Sequence, residues 1–278
     1  MICAVLGPTG TFSEEAAHLY WGEDVVVSAA ATIPELFRML AGGEVEDVLV
    51  PIDNSQAGSI DVCINCLQEY PVSIKGEIVI PIRQHLIAAR KYQLEDIELI
   101  ISQPTALMQC GDFMDRSLKG VRTEITSSTT RALQIIGTET RKAAGIGNLR
   151  AAAIYGLEII KEDIQNRDNT TRFVHITNNQ GPLDGGQKAS LICSLPDVPG
   201  ALYKALEIFA VRNLNLNKIE SRPDRIKQGS FCFYIEVEVD GNDQNLANAL
   251  DELQMYCNSV KYLGSYNRKN GDADVDLL

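Results

Sequence analysis

Histidine is scarce in this chain: among 278 residues there are three, His18, His85 and His175. Hydrolases that use a serine or cysteine nucleophile need a base beside it, and imidazole is the usual one. His18 falls inside an alanine-rich helical stretch and His175 inside an apolar strand, so both suit structural roles; His85, after EIVIPIRQ, is the better candidate base. No HExxH, no P-loop and no second CxxC occur. GIGNLRA at 145–151 imitates a dinucleotide fingerprint. It lacks the acidic residue that should follow at the end of a second strand, so no nicotinamide cofactor is expected. Basic residues are also short, 25 against 37 acidic, for a net charge of −12. That balance argues against nucleic acid or an anionic membrane as partner. No apolar run approaches the roughly 20 residues that cross a bilayer. The start, MICAVLGPTG, lacks a basic region before its apolar stretch. A cytoplasmic protein is therefore expected.

Seven cysteines are present: Cys3, Cys63, Cys66, Cys110, Cys193, Cys232 and Cys257. An odd number without an export signal reads as reduced, mostly buried thiols. Cys63 and Cys66 form a lone CxxC, which on a helix suits a core stripe as well as a metal or redox site. No metal is expected.

Residues 1–180 repeat one pattern: apolar strand, polar loop, helix. Ile2–Leu6 runs into GPTGTFSEEAA, where Thr11 and Glu14 have capping-box spacing; Thr32 and Glu35 repeat it, with Pro34 just inside the helix. Further strands are read at VEDVLVPI, IELIIS, VRTEIT, KAAGIG and TRFVHIT. Helices are read after DNSQAGS, after Ser102 as cap, after SSTT, and as LRAAAIYGLEII capped by Asn148. Strands alternating with helices at this spacing indicate an α/β fold with largely parallel sheets. The polar, glycine-rich segment 179–188 reads as a linker. Beyond it the pattern becomes βαββαβ, a ferredoxin-like unit over 189–267, and the acidic end 268–278 reads as a disordered tail.

In such sheets ligands bind beyond the carboxyl ends of the strands, where helix N-termini offer free N–H groups to anions. The side chains there are Thr9, Thr11, Ser13, Asn54, Ser55, Ser102, Ser127, Ser128, Thr129 and Asn169, with Arg172 as the cation. The set suits a small polyanion. It also suits plain helix capping.

The ordered motifs GPTGTFSEEAA at 7–17, VPIDNSQAG at 50–58, SQPTALMQC at 102–110, SSTTRA at 127–132 and NTTRF at 169–173, followed by GAL at 200–202 and ESRP at 220–223, carry a resemblance. Over nearly its whole length the chain resembles bacterial prephenate dehydratases with a C-terminal ACT domain. It departs from them at Gln103 and Thr105, where His and Gln are usual, at Asp53 in place of Glu, and at Tyr203 in place of Val.

The resemblance implies a two-lobed catalytic region over 1–178, built like a periplasmic binding protein, and an oligomer, dimer or tetramer, joined partly through ACT domains. It implies decarboxylating dehydration of prephenate to phenylpyruvate without a cofactor, with phenylalanine as effector. Thr171 would hydrogen-bond the departing hydroxyl. Arg172 would either clasp a carboxylate or hold the strand start by a salt bridge. Phe173 would line the cleft wall. Thr9, Thr11, Ser13, Asn54, Ser55, Ser102 and Gln109 would serve the substrate. Gly200, Ala201, Leu202, Asn215, Glu220, Ser221, Arg222 and Pro223 would hold the effector. Other readings are an arogenate-preferring dehydratase and a non-catalytic amino-acid sensor. A chain ending before residue 189 is expected to keep some dehydratase activity.

Overall fold

The computed structural model describes residues 2–179, 185–224, 230–239 and 243–269. The first lobe is built from β1 (Ile2–Leu6), α1 (Phe12–Trp21), β2 (Val26–Ala30), α2 (Ile33–Ala41), β3 (Asp47–Asn54), β4 (Gly58–Ser59), α3 (Asp61–Glu69) and β5 (Ser73–Pro81). The chain then crosses to a second lobe: β6 (His85–Ala88), β7 (Leu99–Ser102), α4 (Pro104–Gln109), α5 (Gly111–Ser117), β8 (Arg122–Ile125), α6 (Thr129–Thr138), β9 (Ala143–Gly147), α7 (Leu149–Ile154) and β10 (Glu158–Lys161). It returns as β11 (Thr170–Thr177), which enters the first lobe antiparallel between β3 and β5. Two crossing segments thus join two α/β lobes.

The third unit is β12 (Lys188–Ser194), α8 (Ala201–Ala210), β13 (Leu216–Pro223), β14 (Phe231–Glu238), α9 (Asp243–Tyr256) and β15 (Ser259–Lys269). Its sheet has the order β13-β14-β12-β15, antiparallel throughout, as the βαββαβ pattern requires.

Local signals place several helices as the sequence indicates. Thr32 accepts the Glu35 N–H, Ser128 the Arg131 N–H and Asn148 the Ala151 N–H, each satisfying an otherwise free donor at a helix start. Other readings are corrected. Thr11 precedes α1 but donates its hydroxyl to the Leu6 carbonyl, and Glu14 accepts the Gly10 N–H, so no reciprocal box forms. Ser102 ends β7, fully buried, and donates to the Ile146 carbonyl instead of capping α4. The helix read through residue 160 stops at Ile154; Gly156 takes φ +63°, and residues 158–161 form an edge strand antiparallel to β6. Both lobe sheets mix parallel and antiparallel pairs, because β11, β6 and β10 run against their neighbours. Arg268 and Lys269 belong to β15, not to a tail. The rest of the expected tail, and 180–184 of the expected linker, lie outside the described residues.

The ferredoxin-like unit is not a separate bead. Beyond its antiparallel pairing with β12, β15 continues into the first lobe and pairs in parallel with β5, Asn267 opposite Gly76 and Lys269 opposite Ile78. The close crossing needs glycine at 264, whose φ is +127° and whose absent Cβ would stand 2.5 Å from the Ile74 carbonyl oxygen. The two sheets thereby join into one. One apolar core spans the junction: Leu36, Phe37, Leu40, Ile64 and Leu67 under the first-lobe sheet continue into Ile192, Tyr234, Leu263 and Tyr266. Each such side chain fully removed from water contributes about 1.5–3 kcal/mol. Lys261 adds a polar tie, donating to the Leu67, Gln68 and Tyr70 carbonyls at the end of α3. A second core under α8 and α9, with Leu191, Phe209, Ile235 and Leu253, belongs to the unit alone.

Candidate active site

β11 brings residues 169–173 against the loop that follows β3. Asn54 is the centre of the contact. Its Oδ1 accepts the backbone N–H groups of Gln56 and Ala57 at 3.0 and 2.9 Å. Those donors fix the amide's orientation, so its Nδ2 must face the other way. There it meets Thr171 Oγ1 and Asn169 Oδ1, both at 2.9 Å, and the Thr170 carbonyl at 3.2 Å. Ser55 locks the same junction: its Oγ accepts the Thr170 N–H and donates to Asn169 Oδ1, while its own N–H goes to the Thr170 carbonyl.

Two donors are left unspent. Thr171 Oγ1 accepts from Asn54, and among the described residues no acceptor takes its proton. The Asn169 Nδ2 is buried with no partner among the described residues. A buried donor without an acceptor is costly, and a bound anion would relieve it.

Two cavities open beside this junction. One, of about 590 Å³, is lined by Ser55, Gln56, Thr105, Gln109, Asn166 and Arg167, among others. The other, of about 370 Å³, is lined by Arg83, Asp163, Gln165, Asp168, Asn169 and Thr170, among others. Gln109 comes from the second lobe and accepts from Gln84 at 3.3 Å, so both lobes face the space. Arg167 has no ion pair among the described residues, and Arg83 reaches Asp163 only at 3.6 Å. Sequence reasoning missed both cations, which lie in the crossing segments and in no recognisable motif.

Arg172, the cation that sequence pointed to, is fully engaged. Strand alternation turns it away from Thr171. Its Nε and Nη2 donate to Asp53, Nη1 to Glu77 at 2.8 Å, and both terminal nitrogens to Glu236 at 3.0 and 2.5 Å. Lys188 adds a contact to Glu77 at 2.7 Å, and Lys218 binds Asp53. Burial opposes the charges here, yet Glu236 and Glu77 hold the Arg172 pKa above its ordinary value. Against the same burial, Arg172, with Lys218 or Lys188, holds the Asp53 and Glu77 carboxyls below theirs. All five guanidinium N–H groups of Arg172 are thus directed at Asp53, Glu77 and Glu236, as a salt-bridge role would have them.

The remaining sequence candidates scatter. Thr9 offers its carbonyl to Tyr155 of the second lobe, and Gly10, with φ +89°, lies where a Cβ would come within 3.3 Å of the Ala151 Cβ. That loop, with Thr11 and the buried Ser13, sits at the lobe junction. Ser102 is sealed in the core. Phe173 is 2% exposed among Val5, Ala17, Leu49 and Ile80, a core residue and not a cleft wall. His85 lies inside β6, buried, and accepts the Asp163 N–H; burial lowers its pKa. His175 bonds Asp47, and His18 lies beside Glu14 and Glu23.

In the C-terminal unit, a cavity of about 330 Å³ is lined by Val198, Gly200, Ala201, Leu202, Tyr203 and Phe231, among others, at the start of α8. Glu220 and Arg222 face the first lobe instead: Glu220 binds Ser59 and Arg222, and Arg222 binds Asp61 at 2.6 Å. Asn215 donates to Glu238. Ser221 and Pro223 sit on β13 opposite Phe233 and Phe231.

Fold and site together define a two-lobed α/β cleft protein with a ferredoxin-like regulatory unit welded to its first lobe. Residues 3–181 match the family model for prephenate dehydratase, and residues 189–254 match the ACT domain. The chain belongs to the prephenate dehydratase family and is a lyase with a C-terminal ACT domain. Among its relatives is the prephenate dehydratase of Bacillus subtilis, 35% identical over 94% of this chain and 96% of that one. A solved prephenate dehydratase of Arthrobacter aurescens, in complex with L-Phe, superposes with TM-score 0.88 at 30% identity, covering 96% of this chain and 90% of that one. A solved protein described as a novel type of quorum-quenching acylase superposes with TM-score 0.86 at 25% identity, covering 97% and 98%. Among the described residues no helix is long and apolar enough to cross a membrane.

Proposed function

We propose that the Asn54–Thr171 pair performs the decarboxylating dehydration of prephenate. Prephenate loses its ring carboxylate as carbon dioxide while the electrons of that bond move into the ring and expel the 4-hydroxyl. One proton joins the departing hydroxide to give water, and the product is phenylpyruvate. Aromatisation drives the step, so the protein needs to position a dianion and stabilise the leaving oxygen. Thr171 is suited to the second task because Asn54 occupies its lone pair and leaves its proton to donate. That single observation carries the assignment. The Asn169 amide and the helix N-termini provide neutral donors, and Arg167 and Arg83 provide the positive charge that Arg172 cannot. Ser55 and Gln109 border the same cavity.

The acylase likeness suggests a hydrolytic alternative. It would need a base on a hydroxyl nucleophile. Among the described residues Ser55 and Thr171 bond amides and backbone, and all three histidines are bonded or paired elsewhere. Dehydration is the better fit.

The ACT domain takes phenylalanine as effector in this reading, its side chain in the 330 Å³ cavity and its carboxylate at the free N–H groups of α8. The exposed Leu202, Tyr203 and Phe231 beside it support a second subunit covering the site, in a dimer or tetramer. Division of the chain into 1–178, 189–267 and the joining segment follows the same reading, with the whole in the cytosol. Incubation of the purified protein with prephenate, following phenylpyruvate absorbance with and without phenylalanine, tests it. Phenylpyruvate formed and suppressed by phenylalanine is the expected result; no phenylpyruvate would overturn the assignment, and faster turnover of arogenate would change the substrate.

A further inference from the structure

The ion cluster behind β11 joins the regulatory strands to residues adjacent to the catalytic pair. On one side, Lys218 of β13 binds Asp53 and donates to Ser59 at 2.6 Å, and Asp53 immediately precedes Asn54. On the other side, Glu236 of β14 receives two hydrogen bonds from Arg172, which immediately follows Thr171. Each regulatory strand therefore grips the neighbour of one member of the hydrogen-bonded pair. Ser59 also bonds Glu220, two residues along β13 from Lys218, so the grip continues along that strand. Glu236 and Glu77 are 2% and 3% exposed, and Tyr234 bonds Glu236 at 2.8 Å, so the cluster is held within packed surroundings.

We propose that Lys218 and Glu236, both in the ACT domain, are positioning residues for dehydration, acting through Asp53 and Arg172 to set the Asn54–Thr171 contact. The proposal rests on the reading of that pair given above and deepens it. Thr171 must hold its hydroxyl in line with the departing oxygen, and a displacement near 1 Å costs about 10²-fold in rate. Neither lysine nor glutamate touches the substrate space; each fixes the strand on which a reacting group stands. Sliding of β13 or β14 shifts both strands together, because Asp53 and Glu236 share the Arg172 guanidinium.

The test uses the full-length protein and three variants: Lys218→Met, Lys218→Arg and Glu236→Gln. Steady-state kinetics with prephenate read kcat and KM separately, and hydrogen exchange reads the amides of 52–57 and 169–173. Expected are a fall in kcat of about tenfold or more for Lys218→Met and Glu236→Gln with KM within about twofold, the pattern of lost transition-state alignment. Faster exchange should appear in both segments, with Lys218→Arg close to the parent. Lys218 lies at the rim of the cluster, so its variants remain informative if Glu236→Gln does not fold. Unchanged kcat and unchanged exchange in Lys218→Met overturn the proposal. If the parent does not turn over prephenate, the functional reading fails by itself, and the exchange arm still decides whether the ACT strands order the pair.

Discussion

Thr171 and Arg172 are chain neighbours with opposite orientations, and their variants should fail differently. In the proposed mechanism Thr171→Ala removes one donor to the leaving oxygen; kcat should fall about 10²-fold or more, with the thermal melt nearly unchanged. Arg172→Met should act on stability first. It leaves the buried Glu77 and Glu236 with Lys188 as their remaining shared cation, a loss of up to about 3–5 kcal/mol, the cost of removing one partner of a buried pair. Urea denaturation of the two variants would separate these outcomes. Thr171 could be singled out in the sequence because its motif is local. The contacts of Arg172 could not be read there: its partners stand 95 and 64 residues away along the chain, and spacing within one strand cannot show which charges fold against it.

Among the elements, α3 carries the CxxC. Cys63 and Cys66 are 0% and 4% exposed, on the face that packs beneath the first-lobe sheet. Burial pushes the Cys63 thiol well above its ordinary pKa, which suppresses the thiolate that a ligand or nucleophile needs. The double variant Cys63→Ala, Cys66→Ala should keep its turnover, also in EDTA, and lose stability by roughly 1 kcal/mol or somewhat more per site. Loss of activity with an intact fold would restore a functional role for the thiols. Elements with strong local signals, such as the starts of α2 and α7, could be read directly from caps at Thr32 and Asn148. β10 could not. Its residues are mostly exposed, and only pairing with β6, some seventy residues earlier, makes EIIK a strand.

At the scale of the molecule, the shared core and the ion cluster bind the ACT domain and the first lobe into one unit. Deleting residues 189–278 would strip Tyr234, Tyr266, Leu263 and Ile192 from the common core and leave Arg172 without Glu236. The sequence-based expectation of an active truncated chain therefore reverses: the truncated protein should be inactive and poorly folded, checked by circular dichroism and phenylpyruvate formation. Acid should act similarly. Asp53 and Glu77 have pKa values depressed by their cations once burial is overcome, so their contribution is present above the unfolded carboxyl range near pH 4 and lost as pH falls through the lower folded values. The fluorescence of Trp21, the one tryptophan, should then change in a single step together with the loss of far-ultraviolet dichroism.

β15 has a further consequence, for association between molecules. Without its last residues, β5 would present open backbone at Gly76, Glu77 and Ile78 in the segment SIKGEIVIP, whose apolar, β-branched end resembles the strands through which proteins stack edge to edge. Asn267, Arg268 and Lys269 occupy that edge, and two of the three bring charge to it. The end of the regulatory domain thus covers an edge that would otherwise stand open to another chain.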